Sequence, residues 1–177
     1  MEEQVVRVGL GFDSHKFGKP TTDPKKNKIL LCGTKIPCEY SIIGHSDGDL
    51  VFHALTDALL GALGKGDIGD HFPPTDPKWK NANSEKFLLF ALDILKQEGG
   101  SINNVDVTII AETPKISPFK EEFTKKISTT LSIRPDQINI KAKTAEQMGA
   151  IGRKEGLACQ AIVSLAIPIL MRQLEEN

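Results

Sequence analysis

Residues 44–60, GHSDGDLVFHALTDALL, carry a contradiction from which the rest of the chain can be read. The second half is apolar on nearly every side, through Leu50, Val51, Phe52, Ala54, Leu55, Ala58, Leu59 and Leu60. A helix that is hydrophobic all round is a buried one. Yet His53 and Asp57 sit inside it one turn apart, and Asp47 and Asp49 crowd its start. Asp49, His53 and Asp57 are spaced by four, so they share one stripe of the helix. Ionisable groups buried that densely are costly unless a counter-charge meets them. The pattern predicts a helix from about Asp47 to Leu63, closed by Gly64 and Gly66, whose polar stripe faces a metal. Asp47 also suits an N-cap, and Asp49 or Asp57 could hold the His53 tautomer as an acceptor. Read alone, His53 is a core histidine satisfied by hydrogen bonds.

The N-terminal stretch supplies what His53 lacks. VVRVGLGF (5–12) alternates, with Val6, Val8 and Leu10 on one face and Arg7, Gly9 and Gly11 on the other, which is a strand by period. Asp13 and His15 follow two apart, so at a strand end they project from the same face. Asp13, His15 and His53 together leave one position of a tetrahedral zinc open, the arrangement of a catalytic site. A nitrogen and oxygen set of this kind suits zinc better than magnesium.

Around these pieces the chain reads as alternating elements. GKPTTDPKKNK (18–28) is a loop, and ILLCGTKI (29–36) a strand or a hairpin bent at Gly33. DIGDHFPPTDPKWKNANS (67–84) is a long proline-punctuated loop of the kind that tends to be functional. A helix follows over 84–100, with Ser84 as N-cap and Gly99 as the stop. Residues 104–112, 138–144 and 156–167 read as strands. A helix starts at Ser117 and Pro118, with Phe119, Phe123, Ile127 and Leu131 on one face, and a short helical turn falls near Ala145–Met148. The order predicts one α+β domain over residues 1–177, a small mixed sheet with its helices layered on one face.

Composition narrows the partners. With 22 Lys and Arg against 23 Asp and Glu in 177 residues, the net charge of −1 gives no basis for nucleic-acid binding. No apolar run approaches a membrane span, and the acidic start MEEQ enters a strand at once, unlike a signal peptide. Cys32, Cys38 and Cys159 are too scattered for a disulfide framework and read as small buried hydrophobes. A cytoplasmic setting is expected. GLGFDS (9–14) and GALGKGD (61–67) lack the spacing of nucleotide-binding glycine loops. KAKTAE (141–146) places Lys141, Lys143, Thr144 and Glu146 past a strand, as an ordinary charged strand end or a phosphate-and-metal edge would.

Together GFDSH, the long stretch GHSDGDLVFHALTDALLGALGKGDIGDHFPPTDPKWKNANS, NVDVTIIAETPK, INIKAKTAE, GR and EGLAC run in one order over most of the chain. They closely resemble the 2-C-methyl-D-erythritol 2,4-cyclodiphosphate synthase family of the non-mevalonate route of isoprene biosynthesis. The resemblance implies a homotrimer with active sites between subunits. It also implies a lyase reaction in which 4-diphosphocytidyl-2-C-methyl-D-erythritol 2-phosphate is closed into a cyclic diphosphate with loss of CMP.

Carried across by motif, Asp13, His15 and His53 are the zinc ligands, and Glu146 binds a second ion, magnesium or manganese, shared with the substrate phosphates. His45 and Thr144 are the implied catalytic groups that stabilise the transferring phosphoryl, with Ser46 beside His45. Asp67, Ile68, Gly69, Phe72 and Asp76 would meet the methylerythritol part of the substrate. Ala111, Ile116 and Ser117 would meet the cytidine, with Lys115 and Thr144 near its phosphates, and Lys143 and Arg153 are further implied substrate-binding residues. Three positions depart from the usual family pattern. Pro74 replaces an aspartate, Lys143 and Ala145 interrupt a threonine run, and Ala150 stands where a phenylalanine usually lines a cavity on the trimer axis. A metal-dependent phosphohydrolase and a nucleotide-binding trimer without activity are the competing readings. The first would give a linear product and the second none.

Overall fold

The computed structural model describes residues 3–23, 28–44, 46–73, 75–79 and 81–169; the expected sites His45 and Pro74, and residues 24–27 of the expected loop, lie outside them. In chain order come β1 (Gln4–Pro20), β2 (Lys28–Leu31), β3 (Thr34–Pro37), β4 (Tyr40–Ile43), α1 (Leu50–Leu63) and α2 (Ile68–His71). Then follow α3 (Glu85–Gln97), β5 (Ser101–Ile110), α4 (Lys120–Leu131), β6 (Ile138–Lys143), α5 (Gly149–Gly152) and β7 (Gly156–Pro168).

Five strands form one sheet in the order β4-β1-β7-β5-β6. All its neighbours are antiparallel except β5 and β6, whose parallel pairing is bridged by α4. β2 and β3 form a separate hairpin turned at Cys32 and Gly33, both at positive φ (52° and 69°), as a two-residue primed turn requires. The α+β class and the helix layer therefore match the sequence reading, with shifted boundaries. β1 runs on through Pro20, into the segment read as a loop. The loop over 67–84 contains α2 and a 3₁₀ turn at Pro77–Trp79, and the last short helix is Gly149–Gly152 rather than Ala145–Met148.

The contact that positions the site is between β1 and α1, and it is made by backbone. Gly9 and Gly11 face the helix where Ala54, Ala58 and Ala62 form its stripe of small residues. A Cβ on Gly11 would lie 1.8 Å from the Ala54 carbonyl oxygen, and one on Gly9 would lie 1.9 Å from that of Ala58. Small residues on both sides let strand and helix close up. The other face of β1 is left uncovered within the chain: Val6, Val8, Leu10 and Phe12 are exposed, Val6 at 65%.

Asp49 fixes where α1 begins. It is the N-cap and is fully buried, and its carboxylate accepts the Val51 and Phe52 N–H groups at 3.2 Å. It also accepts the Cys32 and Gly33 N–H groups of the hairpin turn, at 3.0 and 2.5 Å. Burial pushes its carboxyl up to about 6, against the Gly33, Phe52 and Cys32 N–H groups, which favour the ionised form. Asp49→Ala strips the cap and leaves buried donors unmet, so unfolding in urea should show a loss of about 3 kcal/mol. Asp93→Ala, exposed on α3, should change stability little. All three cysteines are free and buried, and burial raises each thiol. Among the described residues no helix is long and apolar enough to cross a membrane.

Candidate active site

Gly9, Gly11, Asp13 and His15 occupy alternate positions of one strand, so the side that admits α1 at the glycines presents a carboxylate and an imidazole just beyond. The register confirms the regular strand, with Asp13 opposite Cys159 and His15 opposite Leu157 on β7. His53, in the first turns of α1, is thereby brought against both. Asp13 Oδ2 lies 3.2 Å from His15 Nδ1 and 2.9 Å from His53 Nδ1. The three ligand atoms all lie within 4.8 Å of one another. Donors about 2 Å from a tetrahedral zinc stand about 3.3 Å apart, so the cluster is close to coordination size.

The state of His15 fits a cation there. Among the described residues, its Nδ1 is the buried side-chain nitrogen without a hydrogen-bond partner. Burial holds its imidazole below the usual range, with Asp13 opposing, and a neutral ring is what a metal ligand requires. Two imidazoles and one carboxylate form a set that zinc accepts with a position to spare.

The carboxylates of its two helical neighbours bond elsewhere than to the His53 ring. Asp49 is committed to the hairpin turn, and Asp57 accepts the Ile68 N–H at 2.8 Å, fastening the start of α2. Burial raises the Asp57 carboxyl, with that N–H opposing. The far nitrogen of the His53 ring, Nε2, instead meets Ser46 Oγ at 3.0 Å and Ser84 Oγ at 2.9 Å. Asp47 caps no helix; it accepts the Ser84 hydroxyl, the Ser84 N–H at 2.9 Å and the Asp49 N–H at 3.1 Å. Sequence reasoning missed this role of Ser84, because a serine just ahead of an apolar helix reads as a local cap.

His15, Ser46 and His53 open onto a cleft of about 360 Å³ whose other walls include Ile68, Gly69, Phe72, Trp79 and Phe87. One end is polar, with His15, Ser46 and His53, and the other is aromatic, with the Phe72 and Phe87 ring centroids 4.5 Å apart.

The profile of the YgbB family matches residues 6–166. The chain belongs to that family. It is 49% identical over 165 residues to the bifunctional enzyme IspD/IspF of Caulobacter vibrioides, covering 93% of this chain and 42% of that protein. The chain thus spans about two fifths of the length of such curated relatives. The IspF–CDP complex of Plasmodium falciparum is 39% identical, with a TM-score of 0.79, over 93% of this chain and 97% of that one. A 2C-methyl-D-erythritol-2,4-cyclodiphosphate synthase structure is 36% identical, with a TM-score of 0.79, over 90% of this chain and 99% of that one.

The remaining residues that the family resemblance singled out are spread over several places. Asp67 is the N-cap of α2 and accepts the Asp70 N–H, so Ile68, Gly69 and Phe72 reach the cleft from a capped turn. Asp76 is exposed and accepts the Lys78 N–H at 2.9 Å. Ala111 and Ile116 are buried while Lys115 and Ser117 are exposed, so around this loop the first two can offer a ligand little but backbone. Lys115 lines a second cleft, with Thr21, Thr22, Cys38 and Glu39, that shares no lining residue with the first. Thr144 and Glu146 are exposed and joined by a 2.8 Å hydrogen bond, on a turn held beside the 111–117 loop by the Glu112 carboxylate, which accepts the Ala145 and Gln147 N–H groups at 2.9 and 3.1 Å. Glu146 is not among the residues clustered with Asp13. Arg153 is exposed and donates to Glu155 at 2.6 Å, and Ala150 lines a further cleft with Phe12 and Leu157.

Proposed function

We propose that this chain converts 4-diphosphocytidyl-2-C-methyl-D-erythritol 2-phosphate into 2-C-methyl-D-erythritol 2,4-cyclodiphosphate and CMP, in non-mevalonate isoprenoid synthesis in the cytoplasm. The observation that carries the reading is the convergence of Asp13, His15 and His53 beside a cleft in a YgbB chain. An oxygen of the 2-phosphate attacks the β-phosphorus, the bond from that phosphorus to the CMP phosphate breaks, and CMP carries the charge away. Zinc held by Asp13, His15 and His53, and magnesium or manganese held by Glu146, would supply charge neutralisation at the phosphates. Phosphoryl transfer depends mainly on alignment and electrostatics, so the chain's task is to hold the two phosphates in line. His45, Ser46 and Thr144 would donate hydrogen bonds to the transferring group. Asp67, Gly69 and the cleft walls would seat the methylerythritol, and the 111–117 loop with Lys115 would seat the cytidine.

Two features support a homotrimer with shared sites. Within one chain the 111–117 loop and the Thr144–Glu146 turn adjoin each other through Glu112, but neither contributes to the cation cluster or to the cleft beside it. The outer sheet face also exposes Val6, Val8, Leu10, Phe12 and Ile162, an apolar surface suited to burial against other copies. Cyclisation consumes no water. Turnover in ¹⁸O-labelled water should therefore give product and CMP without label by mass spectrometry, and label in a phosphate would turn the assignment to a hydrolase.

A further inference from the structure

We infer that Ser84 and Asp47 are positioning residues for the cation site, a hydroxyl–carboxylate pair that holds His53 with the lone pair of Nδ1 aimed at the ion. The inference rests on the cation site proposed above and assigns a role to two residues outside the ligand set. His53 Nδ1 lies on the Asp13 side of the ring, 2.9 Å from Oδ2, while Nε2 lies 2.9 Å from Ser84 Oγ. A hydroxyl has one proton, and that of Ser84 goes to Asp47 Oδ1. Ser84 therefore turns a lone pair toward the ring, and the arrangement is satisfied when Nε2 carries the imidazole proton. That tautomer leaves Nδ1 bare, as coordination needs.

Three further observations set this contact apart from a casual one. Ser84 is fully buried, so its hydroxyl has no water to fall back on. It occupies the N-cap position of α3 but is in helical conformation (φ −61°, ψ −23°) and makes no side-chain cap bond. Asn83 Oδ1 takes the Glu85 N–H at 2.9 Å instead. Asp47 is immobilised by three donors, two from Ser84 and one from the Asp49 N–H. Ser46 also lies within 3.0 Å of Nε2, but it lines the open cleft and accepts the Gly48 N–H at 3.3 Å. Its proton remains available to whatever enters the cleft, while Ser84 is the fixed acceptor behind the ring.

The test uses the full chain and reads metal binding rather than turnover. Zinc affinity is measured by competition with a chromophoric chelator, and ligand geometry by the visible d–d bands of the cobalt(II)-loaded protein. Ser84→Ala and Asp47→Asn should each weaken zinc binding about 10- to 100-fold and alter the cobalt bands. The double variant should be within about twofold of the weaker single one, because both changes break one relay. Asn83→Ala removes the actual α3 cap, so it should lower the melting temperature yet leave zinc affinity within about twofold of the parent. Should Ser84→Ala fail to fold, the nearly isosteric Asp47→Asn carries the comparison. Parent-like affinity and cobalt bands in the folded variants would overturn the positioning role and leave the cation site standing. A parent that binds no zinc would remove the cation site itself, and the relay with it.

Discussion

Gly11→Ala is expected to unfold the chain more readily than most core substitutions and to scatter the three ligands in what remains folded. The added methyl would stand 1.8 Å from the Ala54 carbonyl oxygen and 2.8 Å from the Ala58 nitrogen. Both are backbone atoms of α1, so no side-chain rotation relieves the clash. Either the helix lifts or the strand bends, and His53 lies one residue from Ala54. Overpacking costs about 1–3 kcal/mol where side chains can yield; here the loss should reach or exceed about 3 kcal/mol in urea unfolding. Gly61→Ala, the same change on the exposed side of α1, meets nothing within 4 Å. It should stabilise the chain by about 0.5–1 kcal/mol, since alanine is the better helix former. Opposite signs for one chemical change would locate the effect in the strand–helix contact.

The second large effect is at His53. His53→Ala deletes the ligand that α1 contributes and leaves Asp13 and His15 facing a gap, so zinc should be lost on dialysis and should not return at stoichiometric metal. Turnover should fall at least about a thousandfold, equivalent to about 4 kcal/mol of lost transition-state stabilisation. The fold should persist, because His53 is half-buried at the cleft rather than in the packed core. Metal analysis and circular dichroism on the same sample separate the two consequences. A variant that keeps zinc would exclude His53 from the ligand set.

The Asp13–His15–His53 cluster was legible because it rests on local periods: two along a strand for Asp13 and His15, and a polar stripe with one histidine on an otherwise apolar helix. What the period does not carry is which face of β1 is buried. Hydrophobicity alone would turn Val6, Val8 and Leu10 inward, yet the glycine face takes the helix and the valine face stays exposed in the chain. Close backbone approach decided that, and it depends on alanines more than 40 residues further on in the sequence. The partners of His53 failed for a similar reason. Helical spacing nominated Asp49 and Asp57, but unmet N–H groups at Cys32, Gly33 and Ile68 claimed both carboxylates. The acceptor behind the ring, Ser84, comes from another helix 31 residues away. The α+β class survived these local misreadings because it depends on the order of elements, which shifted boundaries leave unchanged.

The most direct measurement of the central claim is phosphorus NMR of the zinc-loaded chain with 4-diphosphocytidyl-2-C-methyl-D-erythritol 2-phosphate and magnesium or manganese. The account predicts the paired resonances of a cyclic diphosphate appearing in step with one equivalent of CMP, and their absence with His53→Ala. Inorganic phosphate or a linear diphosphate from the parent, or unchanged substrate in the presence of both metals, would contradict it.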